Sequence, residues 1–600
     1  MLIFHTFEVF PPALLLLHSV SVVVFKRWLG PIGTFYATLA TFSLSSVLTW
    51  RALARVLRFG HYDIVDIGRW FLEFEHGGIH PIFCADSLAL IAASLVMPLT
   101  LLAIYFGTEY MYREAFINRL LYLLNLFATS VIFLFFCYDY FLILLIWECI
   151  GLFSFLLVNF YATRTYTIKA ALKVFVFSRV SDMFMFVAFT LAVSSFSTTD
   201  LALIFTQTPF YAFHYLFVGD IAVHFLTLFA FSLALSGGIK GAQFVSHVWL
   251  PDAMEAPTPA SALIHSSTLV IAGVFLIIRF SVVFEFATTV NYFLALWGAS
   301  TLAFASVAAA FQTDVKKLVA YSTISQIGYL FCGCGFCCYE EVLVYLVVHA
   351  LNKAFLFVLV GYQVHFFNAN TDMRQMGGSY LYSFELSLLL AGCCLNLTGL
   401  PYSAGFLSKE LLLAQVLRGD FVSYFVRACW LLSFFFTPVY MYSLLSAVYF
   451  GPKRGKRQVY SSSWKYSPLA YPYVPLRTPS LLCSFTAITS RLTSIILFTF
   501  WLFFNFYGES LLLLVMDFST TSDSLHTAAF LQIKQHKIYG ASFVQPQLIE
   551  YIGYYVYILT TAAVTYVMGL GKESSYVYMR AVAYATLVTL PLIMWLCLYV

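Results

Sequence analysis

Charge is what this sequence has least of. Among 600 residues there are 32 Lys or Arg and 28 Asp or Glu, 10% in all, against 61% hydrophobic residues. A soluble globular domain carries about 25% charged residues, so that class is excluded. A net charge of only +4, with basic residues confined to short loops, also argues against a nucleic-acid partner. The glycine and cysteine signatures of bound cofactors are missing too: there is no Rossmann fingerprint, no Walker loop and no haem-attachment motif. The 12 cysteines mostly sit inside apolar runs, where they pack as small hydrophobes. Their densest group, Cys332, Cys334, Cys337 and Cys338, has no second pair at zinc or iron–sulfur spacing. The sequon Asn396-Leu397-Thr398 falls within an apolar run and is discarded as a glycosylation site. No basic segment precedes the first apolar run and no small-residue cleavage site follows it, so no cleavable signal is expected. A polytopic chain of this kind is either bacterial or made inside an organelle, and 64 Phe suit a T-rich organelle genome.

What is abundant is apolar length. A membrane span needs about 20 apolar residues, and runs of that size recur throughout, giving an all-α polytopic membrane protein of about 15–16 transmembrane helices. Spans are expected at 9–25 and 31–50, separated by Lys26 and Arg27, with an exposed loop over 51–82 that has room for strand pairs. A span at 86–107 follows, and the run 120–160 is split into two helices by a turn near Tyr138-Asp139-Tyr140. Further spans or helices are expected at 170–194, 292–311 and 342–367, with a helix at 318–331. Beyond 450 come a basic cluster (Lys453, Arg454, Lys456, Arg457), read as a topogenic signal in preference to a lipid contact, and a Tyr/Ser/Pro-rich loop. A span at 481–504, a mixed stretch at 508–570 and a last span at 579–600 complete the chain, and 551–570 is either an extra span or part of a lateral element.

Within this apolar background a few charges stand at membrane depth, where ionisable residues default to function. Glu148 lies about nine residues, or about 13 Å, into its helix, and an isolated carboxylate there must be protonated or paired. Arg179 and Asp182 stand at i,i+3, on one helix face. They form either a local salt bridge or a pair that tunes the charge of Glu148. Lys240 follows Ser236-Gly237-Gly238, and Pro251, Pro257 and Pro259 come before the run that places His265 inside a span. That pattern reads as a helix broken at 236–238 beside an intramembrane lysine. Irregular backbone survives at such depth only in protein or along a hydrated cavity, although a helix end with a snorkelling lysine remains the alternative. His349 and Lys353 share a face at i,i+4. A second interruption at Thr398-Gly399-Leu400-Pro401 precedes Lys409-Glu410. Two matched breaks point to an inverted repeat, with units at 117–280 and 292–450 between an N-terminal region (1–116) and a C-terminal extension (451–600). Lys316 and Lys317 start a helix and suit an interfacial, snorkelling role, and each histidine alone is equally compatible with a hydrogen-bonded core residue.

The runs Trp249-Leu250-Pro251-Asp252-Ala253-Met254, Ala256-Pro257-Thr258-Pro259, Ser261-Ala262-Leu263-Ile264-His265 and Thr313–Tyr329 with Ser325-Gln326-Ile327-Gly328 resemble the antiporter-like membrane subunits of respiratory complex I. So do Trp147-Glu148 and Arg179-Val180-Ser181-Asp182, although the family often has Gly where Ser181 stands. The resemblance covers roughly residues 80–450 through specific motifs. It implies two inverted five-helix repeats, each with a broken helix, then a C-terminal lateral helix and a final span. It also implies proton translocation through Glu148, Arg179, Asp182, Lys240, His265, His349, Lys353, Lys409 and Glu410, driven by electron transfer from NADH to ubiquinone in other subunits. No cofactor is then expected in this chain: FMN, iron–sulfur clusters and ubiquinone belong to those other subunits. Partners would be the other membrane-arm subunits and lipid, and the location the mitochondrial inner membrane or a bacterial plasma membrane.

The expected mechanism is electrostatic. Low dielectric disfavours a buried ammonium, a nearby carboxylate such as Glu148 restores it, and at 4 Å such a pair is worth about 4 kcal/mol at an effective dielectric of 20. Lys409-Glu410 is expected to be the exit-side element. Two rivals share these features: a cation/proton antiporter subunit of the multisubunit bacterial type, and a structural scaffold whose charges are fixed ion pairs.

Overall fold

The computed structural model describes residues 10–452 except 60–62, 69–70, 75–76, 112–113, 115, 219–220, 368–369, 380–383, 400–402 and 417–420. The expected basic cluster, loop, lateral element and final spans beyond 452 lie outside the described residues, as do Leu400 and Pro401 of the second expected break.

The chain opens with α1 (Phe10–Phe59), a helical run kinked at Gly30 (φ 60°, ψ −175°) just before Pro31. Glycine accepts the left-handed φ and proline withdraws a helix donor, so the two expected N-terminal spans join in one bent rod and the junction falls four residues past Lys26. The expected loop starts later than position 51. Ala52, Leu53 and Val56 are buried while Arg51 is exposed, an amphipathic pattern that carries the helix onward to Phe59. Antiparallel pairs β1 (Asp63–Asp66) with β4 (Ile82–Ala85) and β2 (Phe71–Phe74) with β3 (Gly77–Ile79) fill the rest of that stretch.

Helix α2 (Ser87–Tyr110) is capped by Asp86, whose carboxylate accepts from the Ala89 N–H at 2.9 Å. Next come α3 (Ile117–Phe136), α4 (Tyr140–Val158, capped by Asp139), α5 (Thr165–Phe196) and the short α6 (Leu201–Gln207). A hairpin of β5 (Tyr215–Val218) and β6 (Ile221–His224) leads into α7 (Phe225–Lys240). After single turns that include α8 (Trp249–Asp252), α9 (Thr258–Leu263) passes through a π-helical segment (Ile264–Thr268) into α10 (Leu269–Arg279). The remaining elements are α11 (Ser281–Phe286), α12 (Thr288–Ala310), α13 (Val315–Gly335), α14 (Tyr339–Phe366), α15 (Phe384–Thr398), α16 (Ala404–Val416) and α17 (Phe421–Leu445).

Among the described residues, nine helices are long and apolar enough to cross a membrane, and three shorter apolar helices (Pro11–Phe25, Phe225–Lys240 and Leu389–Thr398) accompany them. Two of these short ones end at the chain breaks, where length alone misses a span built from two half-helices.

The first break is not where the glycines suggested. Helix α7 runs unbroken through Gly237 and Gly238, and the irregular backbone begins after Lys240, with Ala242 (φ 51°) and Val245 (φ 75°) both left-handed. The glycines serve packing instead. A Cβ on Gly273 of α10 would stand 2.2 Å from the Gly237 carbonyl oxygen, and one on Gly238 would stand 2.3 Å from the Trp297 ring. Small residues that let backbones touch are how helices associate where lipid removes most of the hydrophobic drive. The second break turns at Gly399 (φ 79°).

Around this bundle the outer faces are apolar. Helix α5 presents Leu172, Val176, Met183 and Phe186 outward, each more than half exposed, the lipid-facing pattern of a span.

Candidate functional site

Lys240 closes α7 with only 2% of its surface exposed. Its Nζ donates to the Trp147 carbonyl at 2.6 Å and rests 4.1 Å from the centre of the Trp147 ring, so the ammonium has a dipole and a π face as neighbours. The same indole donates to Ser181 Oγ at 3.2 Å, and Ser181 in turn donates to the Ser236 carbonyl at 2.9 Å. These bonds pin α4, α5 and α7 together around the lysine.

Its carboxylate is Asp182. Lys240 Nζ lies 3.3 Å from Asp182 Oδ1, Arg179 Nη1 lies 3.4 Å from Asp182 Oδ2, and the same Arg179 nitrogen reaches Glu148 Oε2 at 3.0 Å. The four side chains form a line of alternating sign, Glu148–Arg179–Asp182–Lys240. Side-chain exposure falls along it from 51% through 33% and 6% to 2%. Of the expected carboxylates it is Asp182 that touches the lysine: Glu148 is held one arginine away, because Asp182 projects from the buried face of α5. A cavity with room for about one water, lined by Ser154, Ser178, Lys240, Trp249 and Leu269 among others, adjoins the ammonium.

Beyond the break, the Trp249 indole donates to the Ile239 carbonyl at 3.0 Å, which ties α8 to the end of α7. His265 sits in the π-helical segment, fully buried, with neither ring nitrogen hydrogen-bonded. Its ring lies 6.2 Å from that of Trp249 and 6.3 Å from that of Phe357 on α14. A π-bulge inside a span commonly marks a functional position, and this one delivers a histidine between the Lys240 side and the helix that carries Lys353.

Lys353 is completely buried and donates to Ser322 Oγ on α13 at 2.6 Å. Among the described residues no carboxylate forms an ion pair with it. His349, one turn earlier, is likewise buried with both ring nitrogens unpartnered, and it feels the charges of both Lys353 and Lys409.

Lys409 stands on α16, after the second break, whereas Lys240 stands before the first. Its Nζ donates to the Leu397 carbonyl at the C-terminal end of α15 at 2.5 Å and lies 5.5 Å from the Tyr329 ring centre. The break is held by an asparagine ladder: Asn396 Nδ2 donates to Asn352 Oδ1 at 2.9 Å, and the Gly405 N–H donates to Asn396 Oδ1 at 2.6 Å. Glu410, next to it, is partly buried.

Three features of this arrangement went unread in the sequence. The first is the Trp147 backbone carbonyl, which has no sequence signal. The second is Lys173, which pairs with Asp252 of the broken segment. The third is Arg279, which pairs with Asp86 and donates to the Phe135 carbonyl at 2.9 Å. Both ion pairs were open to detection as charges at span ends. Among the described residues no group of three or more His, Cys, Asp or Glu could hold a metal ion.

Comparison with known proteins gives the family of the chain. The family model NADH:quinone oxidoreductase/Mrp antiporter, TM, matches residues 137–436. The NADH-ubiquinone oxidoreductase chain 5 of Paramecium tetraurelia is 33% identical over 528 residues, which cover 86% of this chain and 91% of that protein. The chain belongs to the NADH-ubiquinone oxidoreductase chain 5 family. The family member from Nyctotherus ovalis is 36% identical over 523 residues, covering 85% of this chain but only 28% of its own length. The chain thus spans about a quarter of one relative and nearly all of another. A chain of the membrane-bound sulfane sulfur reductase, an archaeal respiratory membrane complex, has the same fold, with a TM-score of 0.67 at 18% identity over 85% of this chain and 96% of that one. All nine residues singled out above, from Glu148 to Glu410, fall inside the stretch that the family model matches. The ionisable groups of this chain thus lie on the antiporter-like core of a multi-pass membrane protein.

Proposed function

We propose that this chain is the chain 5 subunit of a respiratory NADH:ubiquinone oxidoreductase and moves protons across the membrane, while NADH oxidation and quinone reduction take place in other subunits. The observation that carries the reading is the line Glu148–Arg179–Asp182–Lys240, which brings an ammonium and a carboxylate to 3.3 Å in the bundle interior. Charges so placed mark ion paths.

In this reading Arg179 is the movable element. One of its nitrogens stands 3.0 Å from Glu148 and 3.4 Å from Asp182. Drawn toward Glu148, it leaves Asp182 to Lys240 and favours a proton on the lysine. Drawn toward Asp182, it competes with Lys240 and favours release. The proton then passes by His265 toward His349 and Lys353, and leaves by way of Lys409 and Glu410.

The inverted repeat (117–280 and 292–450) belongs to the same proposal. Helices α3, α4, α5, α7 and α9–α10 would form one five-helix unit, and α12, α13, α14, α15–α16 and α17 the other. Direction supports it. Arg279 at the end of α10 binds the end of α3 through Phe135, and α12 starts, after the short α11, from that side. Helix α12 therefore runs opposite to α3, as an inverted repeat requires. The N-terminal region at 1–116, the extension at 451–600 with its lateral helix and final span, the membrane-arm partners, and a mitochondrial inner-membrane location follow from the family in the same way.

Two experiments test the reading. Purification in mild detergent should bring down redox-active subunits carrying FMN and iron–sulfur clusters. A complex without them that exchanges cations for protons would favour the antiporter alternative, which the family's Mrp branch keeps open. In reconstituted vesicles, Lys240→Met should abolish proton uptake driven by NADH, and full uptake would sink the role of the lysine.

A further inference from the structure

Gln326 on α13 is not ionisable and was not among the site residues, yet it stands on α13 between the residues that meet Lys353 and Lys409. Its side chain is fully buried. Oε1 accepts from the Tyr345 hydroxyl of α14, while Nε2 donates to the Tyr440 hydroxyl of α17 and to Ser325 Oγ, each at 3.4 Å. An amide has an acceptor end and a donor end, and Gln326 uses both to bind two tyrosines from two other helices.

The surroundings are those of the lysines. Ser322, one turn before Gln326, accepts from Lys353. Tyr329, nearly one turn after it, carries Lys409 over its ring and meets Tyr345 edge-on at 6.1 Å. Tyr345 lies one turn before His349, with the two rings 6.5 Å apart. Ser322, Ser325, Gln326 and Tyr329 fall at i, i+3, i+4 and i+7, so they share one face of α13. That face has Lys353 at one end and Lys409 at the other.

We infer that Gln326 is a positioning residue for proton passage between Lys353 and Lys409, holding the Tyr345 hydroxyl at its acceptor end and the Tyr440 hydroxyl at its donor end. The amide keeps its own protons. The two phenols keep theirs as well and orient the water that carries the proton, so one proton leaves the ammonium of one lysine, one reaches the amine of the other, and each water ends as it began. This rests on the proposed function.

The test uses the whole complex in vesicles and reads protons taken up per NADH oxidised, with Lys353→Met as the control for the underlying reading. Gln326→Leu and Tyr345→Phe should each lower uptake about tenfold, because each leaves a buried polar group unpaired. Their combination should be no worse than Gln326→Leu alone, as expected of partners in one network. Gln326→Glu should restore uptake, since a protonated carboxyl also offers one donor and one acceptor. Normal uptake in Gln326→Leu, or equal losses in the Leu and Glu variants, overturns the inference while a defective Lys353→Met leaves the proposed function standing. Normal uptake in Lys353→Met undoes the reading beneath it. If Gln326→Leu reduces assembly, Tyr345→Phe decides alone, and normal uptake there refutes the role of Gln326.

Discussion

Replacing Asp182 by Asn removes one charge from the centre of the line and leaves its shape. The carboxylate lies 3.3 Å from Lys240, with side-chain exposures of 6% and 2%. At that distance two unit charges attract by about 5 kcal/mol at an effective dielectric of 20. Removing one partner of a buried pair strands the other and costs about 3–5 kcal/mol. If that free energy appears in the barrier to proton movement, the rate should fall by roughly 100-fold or more. Glu148→Gln acts at the exposed end. Arg179 still holds Asp182 there, so the loss should be about tenfold or less, nearer the values of accessible pairs. The assay is proton uptake into vesicles holding the purified complex, started with NADH and a quinone and followed with a pH-sensitive dye. NADH oxidation is recorded in parallel, so that uncoupling is separated from inhibition. The decisive quantity is the order of the two variants. A Glu148→Gln complex more impaired than Asp182→Asn would mean that the exposed carboxylate governs the lysine through a contact other than Arg179, and the linear relay would be wrong.

Lys409→Met should keep assembly, because a similar apolar chain replaces a buried ammonium, and should lose proton uptake; immunoblots of the assembled complex and the vesicle assay check both halves. Gly273→Ala forces a methyl to within 2.2 Å of the Gly237 carbonyl oxygen, so α7 and α10 must part and the thermal midpoint of the complex should drop visibly, whereas Gly68→Ala, with nothing within 4 Å, should shift it only through its left-handed φ. Arg279→Met strands Asp86 and should destabilise by about 3–5 kcal/mol, and adding Asp86→Asn should recover part of that loss in thermal melts, as a double-mutant cycle requires.

The sequence made the charges at membrane depth legible because each is costly there and so stands out from its background. Glu148, Lys240, Lys353 and Lys409 were found in this way, and all four lie on helices where the apolar runs put them. Their partners were less legible. Periodicity groups Arg179 with Asp182 on one helix face, but it does not say which neighbouring helix that face meets, so Asp182 was not seen as the carboxylate of Lys240. The first break was misplaced because glycine has two uses in a span. At Gly237 and Gly238 it allows close approach, while the actual turn passes through Ala242 and Val245, residues that carry no sequence signal for a left-handed backbone. The hydrogen-bonded tyrosines around Gln326 were invisible for a similar reason, since nothing local distinguishes a tyrosine that bonds a distant amide from one that lines a core.

The three buried lysines are supported differently, and the difference bears on where a barrier to proton movement would lie. Lys240 has a carboxylate, a carbonyl and an indole face around its ammonium, so its charged form is held by three neighbours. Lys409 has a carbonyl and a phenol ring, and Lys353 has a serine hydroxyl. A hydroxyl offsets little of the cost of burying an ammonium. The charged state is therefore best supported at Lys240 and least supported at Lys353, with Lys409 between them. On the proposed path a proton would meet its high point at Lys353 unless a carboxylate or a reoriented histidine approaches. His349 touches that step from one helical turn away and has both ring nitrogens free to bond. If the proposed path holds, the barrier lies at Lys353, and whatever lowers it, whether rotation of His349 or the tyrosines held by Gln326, would set the timing of transfer.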